Sequence, residues 1–182
     1  MLVRLIPIGN LSQKFLGDIC NELQTLVNIR CKVLPKLQTP RETYDHFRRQ
    51  YDAEKIIDIL SKSSEAKFIE RGMPTIFLTE DDIYYSKLNF VFGLEDLRKN
   101  VAIVSIARLK PEFYENRPNP TILTERTVKE IIHEVGHMTG LEHCVHKICI
   151  MNFSPSINDI DVKQKDFCSS CRVRMMTRGL EL

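Results

Sequence analysis

The segment HEVGHMTGLEHC, from His133 to Cys144, gathers three of the chain's five histidines and one of its six cysteines into twelve residues. That density leaves few ways for this part of the chain to fold. Val128, Ile131, Ile132, Val135, Met138 and Thr139 recur at helical spacing, so the segment predicts a helix with one face in the core. Thr127 with Glu130 forms a capping-box pattern for its start, and Thr121 or Thr124 offers an earlier one. His133 and His137 lie four apart, which stacks their imidazoles on one stripe. Gly140 permits the left-handed turn that ends a helix and lets the chain double back, bringing His143 near the other two.

Three imidazoles converging on one point suit Zn²⁺ and leave its fourth position for water, the arrangement of a catalytic site. Glu134, beside the first histidine, is placed to orient that water and take its proton. The competing reading is a row of polar residues on a solvated helix face. The glycine and the third histidine, both where the geometry requires them, favour the metal.

A second group overlaps the first. Cys144, Cys149, Cys168 and Cys171 form a C-x4-C and a C-x2-C pair. Two such pairs brought together make a closed, four-thiolate structural zinc site. Buried free thiols, two disulfides or an iron–sulfur cluster are the alternatives, disulfides being disfavoured in a reducing compartment and a cluster by the lack of a CxxCxxC run. Asp161 with Gln164 is expected to open a last helix carrying Cys168 and Cys171 on one face. His146 is read as exposed, and Cys20 and Cys31 as buried thiols.

Taken together, HExxHxxGxxH resembles the metzincin clan. The cysteine directly after the third histidine, the following C-x-M and the later CxxC resemble the archaemetzincin family of zinc metallopeptidases. The resemblance implies an α/β domain spanning residues 1–182, with a twisted, mostly parallel sheet and an antiparallel edge strand. Residues 1–120 would hold the sheet, and 121–182 the active-site helix, the methionine turn, the cysteine group and a C-terminal helix. It implies two zinc ions per chain, one catalytic and one structural, and makes Met151 an apolar floor under the histidines. It also implies a peptide substrate laid antiparallel along an edge strand, for which Asn89, Phe90, Val91, Phe92 and Gly93 are the candidates; an internal core strand is the other reading of that run. Some metzincins place a tyrosine shortly after the methionine. Asn152 and Phe153 stand there instead, and the oxyanion-stabilising residue is unassigned.

The first two-thirds fit this picture. Val3–Ile8, Ile29–Leu34, Thr75–Thr79, Asn89–Phe92 and Val101–Arg108 read as strands. Residues 12–26, with Ser12 as cap, and 53–60 read as helices, and 37–49 as a loop or short helix. A net charge of +2 gives no reason to expect nucleic acid as a partner. No apolar run approaches the roughly eighteen residues of a membrane span, and the N-terminal apolar run is too short for a signal peptide. The reading is therefore a cytoplasmic, monomeric zinc metallopeptidase with Glu134 as general base. A catalytically silent zinc-binding scaffold and a zinc hydrolase of a non-peptide amide use the same residues and are the alternatives.

Overall fold

The structure, a computed structural model, describes residues 1–27, 29–63 and 73–177. Its centre is a five-stranded sheet in the order β2-β1-β5-β8-β7. β1 (Leu2–Ile8), β2 (Arg30–Val33), β5 (Thr75–Thr79) and β8 (Val101–Ser105) run parallel; β7 (Gly93–Asp96) pairs antiparallel with β8 and forms one edge. The mostly parallel sheet with an antiparallel edge strand is the fold class expected. Every residue of β5 and β8 is buried, as strands covered on both faces must be.

Side-chain alternation sorts these strands onto two faces. Val3, Leu5, Ile76, Leu78, Ala102 and Val104 meet α1 (Gln13–Val27) and α3 (Pro120–Met138). Ile6, Ile8, Phe77, Val101 and Ile103 meet α2 (Ala53–Lys62) through Ile56, Ile57 and Leu60. Helix α1 starts where its sequence suggests, the Phe15 N–H donating to Ser12 Oγ at 3.2 Å. A small second sheet, β3 (Tyr44–Asp45), β4 (Gln50–Asp52) and β6 (Ile83–Tyr84), packs beside the first.

Three local expectations need correction. Asn89–Phe92 is not a strand; the extended edge begins at Gly93. Phe92 is buried in one core cluster while Val91 packs against the other, which gave the run its strand-like alternation. Its backbone instead makes scattered bonds, Gln50 Nε2 to Asn89 O, Val91 N to Ile83 O and Ser105 N to Phe92 O. The run predicted to reach Arg108 stops at Ser105, whose Oγ accepts from Ala107 N–H and turns the chain.

The third concerns helix ends. Helix α3 begins at Pro120 with Asn119 as its cap, the Ile122 N–H donating to Asn119 Oδ1 at 3.1 Å. Asn before Pro is the stronger start signal, so Thr127 and Glu130 lie buried in mid-helix. Asp161 and Gln164 open no helix. The Asp161 carboxylate is held by Arg126 through two bonds of 2.7 Å, and Gln164 N–H donates to Ile148 O. The segment forms α4 (Ile157–Val162), and α5 (Ser169–Met176) starts only after Cys168, its N-cap.

Candidate metal centres and active-site cleft

The second half of α3 carries His133, Glu134 and His137, each at least nine-tenths buried. The helix ends at Met138, and Gly140 takes φ +87°, so the chain reverses as its glycine allows. His143 then returns to the helix, exposed on one side. The imidazole nitrogens offered by His133, His137 and His143 all lie within 4.8 Å of one another. His133 and His137 approach Nε2 to Nε2 at 3.1 Å.

Their opposite nitrogens are both engaged. His133 Nδ1 lies 2.8 Å from Ile150 O and His137 Nδ1 2.8 Å from Leu141 O. A carbonyl can only accept, so each Nδ1 carries the proton and each Nε2 presents a lone pair. Two lone pairs so placed suit a cation held between them. A tetrahedral ion with Zn–N near 2.1 Å spaces its nitrogens by about 3.4 Å, close to what is found. Burial, then the nearby Lys163 and His137, holds His133 well below the ordinary imidazole range, which keeps it in its ligating form.

Glu134 sits 3% exposed beside this group. Burial first, then the Glu95 and Glu130 carboxylates, pushes its carboxyl well above the usual range. Gly93 of β7 passes directly over it, and a Cβ there would collide with Glu134 Oε1 and Cδ. Any side chain at 93 would force Glu134 out of this place. A cleft of about 340 Å³ opens above, lined by Phe90, Leu94, Glu95, Phe153 and Pro155 along with the three histidines and Glu134.

Below the histidines lies Met151, fully buried. A Cβ at Gly136 would strike Met151 Sδ, so a glycine in HEVGH is what seats the methionine against the helix. The loop between is tied at both ends: Cys144 N–H donates to Met151 O at 2.8 Å, and Asn152 Nδ2 to Cys144 O at 2.7 Å.

The same loop supplies half of the second group. Cys144, Cys149, Cys168 and Cys171 have their sulfurs within 4.8 Å of one another, and none is in a disulfide. Cys144 and Cys168 are 3.7 Å apart and Cys149 and Cys171 3.8 Å. A tetrahedron with Zn–S near 2.3 Å has edges of about 3.8 Å, whereas a disulfide needs about 2.05 Å. Against its burial, the Cys171 N–H and the neighbouring thiols bring the Cys168 thiol down to about 7. His146 is exposed and outside the group. Cys20 and Cys31 are only partly buried.

The sequence model of Peptidase family M54 matches residues 7–177. The archaemetzincin of Methanocaldococcus jannaschii is 36% identical over 180 residues, covering 99% of this chain and 96% of its own. The chain belongs to the archaemetzincins, peptidase family M54. Another family member, the archaemetzincin of Thermococcus kodakarensis, is 33% identical over 186 residues, covering all of this chain and 98% of its own. Solved structures agree. A zinc-dependent peptidase from Methanocorpusculum labreanum superposes with a TM-score of 0.85 at 31% identity, covering 95% of this chain and 99% of its own. The archaemetzincin of Archaeoglobus fulgidus, crystallised with malonate, gives 0.79 at 31%, covering 96% and 99%.

Sequence reasoning passed over Gly136, Glu95 and Lys163, and assigned Glu130 to a helix cap. Gly136 was legible in principle, as a glycine inside an otherwise strong helix. Of the tyrosines, Tyr114 and Tyr84 spend their hydroxyls on Arg108 O and Asp45, while Tyr85 borders the cleft. Among the described residues no helix is long and apolar enough to cross a membrane.

Proposed function

We propose that the chain hydrolyses peptide bonds at the three-histidine group, with Glu134 as general base. The observation that carries this is the pair of Nε2 atoms 3.1 Å apart, each imidazole fixed by a backbone carbonyl, at the foot of an open cleft. His133, His137 and His143 would hold a zinc ion, which supplies a Lewis acid toward the scissile carbonyl and toward water. Glu134, alongside, accepts a proton from the attacking water and returns it to the leaving amine. The free edge of β7 offers main-chain groups to an extended peptide, Asn89–Phe92 line the same cleft without forming a strand, and Gly93 keeps β7 against Glu134. The four cysteines would hold a second zinc, closed to water and structural, that fixes the loop bearing His143 and Met151.

Mass-spectrometric cleavage of a diverse peptide library tests the reading, with wild type and Glu134→Ala side by side, both zinc-replete. Cleavage by the wild type alone is expected. Failure of both proteins to cut any peptide, with the metals bound, would return the chain to a binding role or a non-peptide substrate.

A further inference from the structure

At the wall of the cleft, which Glu130 helps to line, lies an ion pair that the mechanism above leaves without a task. Lys163 and Glu130 have side chains 0% and 4% exposed, with Nζ and Oε1 3.8 Å apart. That is beyond hydrogen-bond reach. Among the described residues neither atom has a hydrogen-bond partner, and the same holds for Oε2 of Glu134. Native interiors leave only a few such groups unpaired, and here three of them belong to one charged neighbourhood. A buried ion pair is also a poor way to gain stability, since apolar replacements often do as well or better.

The three groups are held by rigid elements. Glu130 and Glu134 occupy one stripe of α3, four residues apart. Lys163 caps the end of α4, where the Lys129 ammonium grips the carbonyls of Ile160 and Asp161 at 3.1 and 3.2 Å. The Lys163 ammonium stands 3.8 Å from Glu130 and its positive charge also reaches the Glu134 carboxylate, which Glu95 approaches from the other side. The two oxygens of Glu134 differ in their surroundings. Oε1 lies against Gly93 at the cleft, and Oε2 is sealed inside.

We propose that Lys163 is a positioning residue: its ammonium, shared with Glu130, draws the inner oxygen of Glu134 and thereby keeps the outer oxygen against Gly93, facing the cleft. The functional consequence rests on the role of Glu134 proposed above, but the geometric one does not. The test compares crystal structures and steady-state kinetics of wild type, Glu130→Gln and the doubly neutral Glu130→Gln/Lys163→Met, with metal content measured in each. The double variant leaves no buried unpaired charge from the pair, so it should fold. In it, Glu134 should leave its place against Gly93, and kcat should fall about ten- to a hundredfold, the cost of a misplaced catalytic group, with KM within about twofold. Glu134 unmoved in the double variant overturns the proposal, whatever the activity. If that variant does not fold, Glu130→Gln decides. Lys163, left with one carboxylate, should pull Glu134 inward, and an unmoved Glu134 again overturns it. If wild type cuts no peptide, the hydrolytic reading fails separately, while the position of Glu134 still settles the role of Lys163.

Discussion

Two clusters of ligand-type side chains share one loop, Leu141–Met151, and differ in what surrounds them. The cysteine group has three buried members and one half-buried, drawn from a loop and from the cap and first turn of α5. The histidine group has two members locked on α3 and a third, His143, exposed at a cleft. On the function proposed above, closure and stability go with the first, access and chemistry with the second. Because the loop joins them, whatever holds the sulfurs also places His143 and Met151.

The largest expected effect tests that division from the closed side. Replacing Cys149 with alanine removes one thiolate from a set whose metal contributes on the order of 10 kcal/mol to small zinc-dependent folds. The variant should lose one equivalent of zinc by mass spectrometry, melt far below the wild type, and lose activity through the displaced loop. Brief chelation should do the reverse, stripping the histidine metal and the activity while leaving the midpoint nearly unchanged. Simultaneous loss of both metals on chelation would abolish the distinction.

On the open side, Glu134→Gln should lower kcat/KM by about 10²–10⁴, the usual worth of a general base. Zinc content and fold should be unaffected. A loss below tenfold would remove Glu134 from the role.

How much of this was legible in sequence depends on the range of the interaction. The helix through His133 and His137, the reversal at Gly140 and the two cysteine pairs follow from local spacing. The misread places share a different origin. Glu130 looks like a capping residue because its only visible partner in sequence is Thr127, yet its partner in space is Lys163, thirty-three residues on. Asp161 looks like a helix opener until Arg126 takes both its oxygens. Asn89–Phe92 alternates like a strand because its side chains split between two core clusters, not because its backbone pairs. Tertiary partners outrank local preference at each of these positions.

Gly136 ranks next. An added methyl would strike Met151 Sδ and approach Phe167 Cε1 to 3.2 Å. Overpacking of this kind costs about 1–3 kcal/mol, despite alanine's better helix propensity. Gly136→Ala should therefore lower the denaturation midpoint and, by shifting Met151, weaken zinc retention at the histidines more than at the cysteines. Equal retention at both would show that the methionine floor serves the whole loop and not one site.

The smallest effect is in the pH dependence of protein stripped of the histidine metal alone. His133 is held below the ordinary imidazole value, so near pH 6.5 the unfolded chain takes a proton that the folded chain refuses. Stability from this group is present above that pH and declines as pH falls, by at most about 1.4 kcal/mol per unit. Glu134 is held above the ordinary carboxyl value, so the sign is opposite. Its contribution is complete below about pH 4.3 and is lost as pH rises through the folded value. The two slopes partly cancel in the wild type. Glu134→Gln removes one of them, so the stripped variant should gain stability over wild type, by a margin that grows from pH 4 toward 7. Urea denaturation across that range measures the margin, and a constant difference would mean that the folded protein does not hold the Glu134 proton. The metal opposes this same penalty, because its positive charge favours the carboxylate. With zinc restored to the histidines the margin should therefore shrink, while zinc at the cysteines should leave it unchanged.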